Sequence, residues 1–240
     1  MLTWRRMSVA SEECLPTLAT HKLCALAILS STTTLEAPPT RRICMTLPPV
    51  FTDPLFYVFY AAIGVSAASE FLGRRQYRAD PAERDDRGSY RVLQVAVFAA
   101  LLVGLGAAYA VEATAIQPAL PAFWAGIVLI LVGTLVRRIA MSTLDQHFSY
   151  HVSVRSDHDV VDDGVYGVVR HPSYTGGTIG YLGIGFALGD WIAVLALALA
   201  CAVSYGYRIR VEEAVLRENL GDAYEAYEER TPYRLVPWVW

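Results

Sequence analysis

The sequence predicts an all-α, polytopic membrane protein with about five transmembrane helices and a cytosolic helical cap at its C-terminus. Two observations carry this expectation. Long apolar runs recur along the chain without the strand-like alternation of a barrel, and the arginines collect in alternate loops between them. The overall balance agrees. Of 240 residues, 54% are hydrophobic and only 18% are charged, where a soluble domain carries about 25% charge. The net charge of −3 gives no footprint for nucleic acid.

Residues 1–50 differ from the rest. They mix Ser, Thr, Pro and Arg around one short apolar stretch, Leu23 to Leu29, too short to span a bilayer. The composition fits a disordered extension, and Met45 opens "MTLPPVFTDPLF", which reads like a start. Residues 51–240 form the membrane domain. Leu55 to Leu72, Val92 to Val111, Leu120 to Met141 and Trp191 to Tyr207 are apolar stretches fit to cross a bilayer as helices. Gly176 to Leu188 is shorter and rich in glycine, with small-xxx-small pairs that let helices approach closely in lipid. A turn at Gly189 and Asp190 would join it to the last span in a tight hairpin.

Charge sets the orientation. Arg74, Arg75, Arg78, Arg84, Arg87 and Arg91 follow the first span, Arg137 and Arg138 end the third, and Arg208 and Arg210 follow the fifth. The opposite loops, Glu112 to Ala119 and Gly189 to Asp190, hold no basic residue. The positive-inside rule puts the arginine-rich ends and the C-terminus in the cytosol.

The polar segments carry the chemistry. Four of the five histidines, His147, His151, His158 and His171, fall between the third and fourth spans. Their spacings of 4, 7 and 13 residues match no metal-ligand pattern, so no metal is expected. The cysteines give neither a disulfide framework nor a CxxC pair. In "VYGVVRHPSYTGG" a proline interrupts the backbone beside Arg170 and His171 at the doorstep of an apolar helix. Proline disfavours helix before it, and the break exposes polar donors that a continuous helix would hide. Beyond Tyr207, Arg208 to Glu229 reads as an amphipathic helix or a helix pair broken near Gly221. Arg208 and Glu212 share one face there. That segment is either a surface helix at the membrane interface or a charged lid over the RHPSY elbow.

The pattern GxY-x3-RHPxYxG, then an apolar hairpin, then R-x3-E, LG-x2-Y-x2-Y and R-x-P runs from Ser142 to Leu235. It closely resembles the isoprenylcysteine carboxyl methyltransferase family, and the phospholipid N-methyltransferases share part of it. The resemblance implies S-adenosyl-L-methionine as cofactor, bound in region 142–235 without a Rossmann-type domain. It assigns His158, Asp159, Val160, Val161 and Tyr166 to one side of the cofactor. His171, Pro172, Ser173 and Tyr174 take the other side, and Glu212 completes the site. The family's H-x-L-V element reads here with Val160 in place of Leu. Arg208 would face the substrate. Arg170 would hold the substrate as a second choice, or anchor the elbow.

The implied reaction is methylation of a lipophilic or lipidated substrate at the membrane, first of all carboxyl O-methylation of a prenylcysteine-like acid. An ionised carboxylate needs no general base. Lipid N-methylation is the alternative, and it would call on a base such as His171 or Glu213. A non-catalytic scaffold or small transporter with Glu70 lining a path is the reading of a different class.

Overall fold

The computed structural model describes residues 22–23, 45–46, 48–76, 88–144 and 162–240, of 22–23, 45–46 and 74–76 the backbone alone. Most of the expected extension, and His158, Asp159, Val160 and Val161, lie outside the described residues. Lys22–Leu23 and Met45–Thr46 pair as a two-residue antiparallel ladder in a first compact unit, Met1–Thr46. The second unit, Leu47–Trp240, is helical. It comprises α1 (Leu55–Gln76), α2 (Ser89–Ala110), α3 (Ala119–Leu144), α4 (Pro172–Leu188), α5 (Trp191–Leu220) and α6 (Asp222–Arg230).

Four of these helices, α1, α2, α3 and α5, are long and apolar enough to cross a bilayer. The fourth expected span, α4, has 17 residues, or about 26 Å at 1.5 Å per residue, short of the ~30 Å hydrocarbon core. Glycine compensates for its length by bringing it against α3. A Cβ on Gly133 would stand 2.5 Å from both the Gly176 carbonyl and the Gly180 nitrogen. One on Gly183 would meet the Ile130 nitrogen at 2.7 Å. The glycines therefore serve α3 first, while Gly185 and Gly177 pack closely on α5, against Val194 and the Tyr205 side chain. In contact order the helices run α1, α3, α4, α5, α2. Phe123, Ile130 and Leu197 are fully buried along this row. Rows of apolar side chains such as Leu195, Leu199 and Val203 face outward, as lipid-facing surface requires.

The turn expected between the fourth and fifth spans is present. Gly189 takes φ 72 and ends α4, a left-handed cap that glycine adopts without Cβ strain. Asp190 caps α5: its Oδ1 accepts from the Ile192 and Ala193 nitrogens at 2.8 and 3.1 Å. Its Oδ2 accepts from the Thr114 hydroxyl at 2.6 Å, and Ile116 N donates to the Gly189 carbonyl at 2.7 Å. The two arginine-free loops are thus latched together at one end of the bundle. Asp190→Ala is expected to cost about 1–2 kcal/mol through the lost cap, read as a lower unfolding midpoint in detergent.

The last span and the amphipathic segment are one helix. α5 runs unbroken for 30 residues, about 45 Å, so its polar end projects roughly 15 Å beyond a ~30 Å core. It stops at Gly221, where the sequence places the break, and α6 follows directly.

Candidate active site

Pro172 opens α4, where a missing N–H costs nothing, and His171 is the cap residue with φ −125. The C-terminal segment runs alongside. Arg170 N and His171 N donate to the Tyr233 and Arg234 carbonyls, both at 2.9 Å, and the Thr175 hydroxyl donates to Leu235 O at 2.7 Å. This corrects one expectation: the backbone donors of Arg170 and His171 are spent on the chain's own tail. The elbow offers side chains instead.

Three aromatic rings stack behind it. His171 lies on Tyr174 with centroids 5.5 Å apart and planes 5° from parallel, and Tyr174 lies on Tyr205 at 4.9 Å. The Tyr174 hydroxyl joins the two charged residues of the R-x3-E motif. It donates to Glu212 Oε2 at 2.7 Å and accepts from Arg208 Nε at 2.7 Å. Arg208 is buried, reaches the Ser89 hydroxyl at 3.2 Å, and has Tyr90 and Tyr174 ring faces within 6 Å. Tyr205, Arg208 and Glu212 stand at i, i+3 and i+7, one face of α5. His171 Nδ1 lies 3.6 Å from Glu212 Oε2. Tyr166 is buried in the short 3-10 turn before the elbow, and its carbonyl accepts from the Tyr227 hydroxyl at 2.9 Å. Burial first, and then the Glu212 charge, holds the Tyr166 phenol well above its usual range. The structure thus assembles His171, Tyr174, Arg208 and Glu212 at one point, with Tyr166 close enough to feel Glu212. Pro172 and Ser173 are buried beneath them.

Glu213, the next residue along α5, is turned about 100° from Glu212, and its side chain is 1% exposed. Arg170 Nη2 donates to it at 3.0 Å, Arg234 Nη2 at 2.8 Å and Arg217 Nη2 at 3.2 Å, while His171 Nε2 lies 3.4 Å away. Arg170 also donates to the Thr231 carbonyl at 3.2 Å. These contacts tie the elbow to α5 and to the tail, as an anchor at Arg170 would. Hydrogen bonding to Glu213 raises Arg234 further above the ordinary arginine range, against the opposing effect of burial. Around this cage, the Tyr224 hydroxyl is buried and has no hydrogen-bond partner among the described residues.

An apolar cavity of about 720 Å³ opens between α1, α2 and the glycine face of α4. Tyr205 and Tyr90 line it at the end nearer the ring stack. So does an ion pair that sequence reading passed over: Arg137 of α3 pairs with Glu70 of α1. Arg137 Nη1 also donates to Ser173, at 3.1 Å to the hydroxyl and 3.2 Å to the carbonyl. Opposite charges on two apolar spans are the signal that would have found it. Among the described residues no group of His, Cys, Asp and Glu side chains is arranged to hold a metal ion.

Residues 121–223 match the phospholipid methyltransferase family model. Protein-S-isoprenylcysteine O-methyltransferase of Schizosaccharomyces pombe is 39% identical over 103 residues, 42% of this chain and 44% of that protein. Protein-S-isoprenylcysteine O-methyltransferase B of Arabidopsis thaliana is 33% identical over 116 residues, 48% of this chain and 58% of that one. The matched stretch spans about half the length of these curated relatives. A solved structure of the eukaryotic intramembrane Ras methyltransferase ICMT (isoprenylcysteine carboxyl methyltransferase) aligns over 77% of this chain and 85% of its own, with 20% identity and a TM-score of 0.45. The resemblance read from the RHPSY elbow and the R-x3-E helix is borne out: over residues 121–223 the chain matches the phospholipid methyltransferase family model, and over stretches of 103 and 116 residues it is similar to protein-S-isoprenylcysteine O-methyltransferases.

Proposed function

We propose that the chain is an S-adenosyl-L-methionine-dependent methyltransferase that O-methylates the carboxylate of a lipophilic, prenylcysteine-like acid at the membrane. The observation that carries this reading is the Tyr174 hydroxyl joining Arg208 to Glu212 beside a three-ring stack. The residues fit the cofactor. The side chain of Glu212 is 29% exposed, leaving its carboxylate accessible to an ammonium group, and tyrosine faces attract a sulfonium by roughly 0.5–2 kcal/mol. The buried Tyr224 hydroxyl, without a hydrogen-bond partner among the described residues, is a further polar group free for such a ligand. His171, Pro172, Ser173, Tyr174, Tyr166 and Glu212 would hold the cofactor, together with His158, Asp159, Val160 and Val161, which lie outside the described residues. Once bound, the cofactor supplies an electrophilic methyl group.

The chain's own residues supply orientation. Arg208 would hold the acceptor carboxylate in a fixed fork, and the apolar cavity would take its lipid tail. Positioning of this kind contributes several kcal/mol. No base is needed for a carboxylate. Glu213, the acid an amine acceptor would want, has both oxygens engaged by arginines. The arginine-rich end of the bundle, with the site and the C-terminus, is assigned to the cytosol.

One observation favours phospholipid N-methylation as the second reading, the family model that matches residues 121–223. The test is the full chain in nanodiscs with methyl-labelled cofactor, offered N-acetyl-farnesylcysteine or phosphatidylethanolamine. A base-labile methyl ester on the first is expected, and label on the second alone overturns the substrate class. Tyr174→Phe keeps the ring stack and removes the hydroxyl. A hydrogen bond to a charged group is worth about 1.5–3 kcal/mol, so kcat/KM is expected to fall roughly ten- to a hundredfold.

A further inference from the structure

The C-terminal residues form a closed loop. The nitrogens of Arg234, Leu235 and Val236 donate to the Trp240 carbonyl at 2.9, 2.9 and 3.1 Å, and Val239 N and Trp240 N return to Val236 O at 3.1 Å. Trp238, at its tip, has φ 62 and is the one non-glycine residue with positive φ among the described residues. A left-handed backbone costs roughly 1–2 kcal/mol outside glycine. Here that strain points an indole outward: Trp238 is 85% exposed and its neighbour Val239 79%. Among the described residues nothing covers them.

The loop has a defined depth. The Trp240 ring packs over Gly206, where a Cβ would meet it at 3.9 Å. Gly206 marks the end of the outward apolar row Leu195, Leu199 and Val203 on α5, and Arg210, one turn further, is exposed. The loop therefore sits where lipid-facing surface gives way to polar surface. Tryptophan concentrates at that level because its ring is apolar and its N–H is wet.

We infer that residues 236–240 are an interfacial anchor, with Trp238 and Val239 seated in the headgroup–acyl boundary of the leaflet from which α5 emerges. The occupant is lipid, because the patch continues the lipid-facing row of α5. The anchor bears on the site, since the carbonyls of Tyr233, Arg234 and Leu235 hold Arg170, His171 and Thr175. Lipid contact at the tail thereby steadies the elbow.

The test uses the full chain in phosphatidylcholine–phosphatidylglycerol vesicles and reads the tryptophan emission lost in Trp238→Phe. Lipids brominated near the headgroup end of the acyl chain are expected to quench that emission, and aqueous iodide to leave it untouched. Val239→Asp, checked for helical content, is expected to reverse the pattern by lifting the tip into water. Iodide quenching of Trp238 in the unmodified chain overturns the anchor. Protection from both quenchers also overturns it, because a protein surface would then cover the patch.

Discussion

Glu213→Ala is expected to lower stability by about 3–5 kcal/mol, roughly 10 °C in unfolding midpoint for a chain of this size. The reason is what it leaves behind. Arg170 is 8% exposed and His171 6%, and Glu213 is the carboxylate that Arg170, Arg217 and Arg234 share. Removing the shared carboxylate leaves Arg170 and His171 buried without it, while Arg217 and Arg234 still reach water. Glu213 also ties together segments far apart in sequence: the elbow, α5 and the C-terminal tail. Its neighbour is expected to behave in the opposite way. Glu212→Gln should leave the midpoint nearly unchanged, because that side chain is 29% exposed. It should weaken S-adenosyl-L-methionine binding tenfold or more, because the carboxylate charge that would meet the cofactor's ammonium is gone. Thermal unfolding in detergent and calorimetric titration with the cofactor separate the two. Equal midpoints for Glu213→Ala and the unmodified chain would remove the structural assignment of Glu213.

Much of this architecture is legible along the chain. The long apolar runs became helices, the Gly189–Asp190 turn is where glycine and an N-cap acid stand together, and the break near Gly221 interrupts the last helix. The union of the last span with the amphipathic segment was not read, although no glycine or proline stands between Tyr207 and Leu220. Hydropathy changes at Arg208 because the surroundings change from lipid to water, while the backbone has no reason to stop. At the site, the elbow and the R-x3-E face were read and meet in space. The cage around Glu213 was not, because its partners lie up to 43 residues away in sequence and one sequence carries no record of pairing. The role of Arg137 was hidden for a related reason. As a cation ending a span it explains orientation fully, and only packing shows that it grips both Glu70 and Ser173.

Gly133→Ala is expected to cost about 3 kcal/mol, the upper end for overpacking, and to remove cofactor binding along with stability. The atoms its methyl would meet, at 2.5 Å, are the carbonyl of Gly176 and the nitrogen of Gly180. Both are backbone, so no side chain can swing aside and α4 must move as a body. α4 is the helix least able to stay in place alone, being the shortest of the five in the bundle and held by its fit to α3. Displacing it carries His171 and Tyr174 away from Arg208 and Glu212, which sit on a different helix. Arg137 stands one turn beyond Gly133 and holds Ser173, so the same shift strains that contact as well. Gly106→Ala is the matched control, since a Cβ there meets nothing within 4 Å and alanine is the better helix former. An unfolding midpoint and cofactor affinity for Gly133→Ala equal to those of Gly106→Ala would mean that α3 and α4 do not meet through their glycines, and the placement of the elbow against α5 would lose its physical basis.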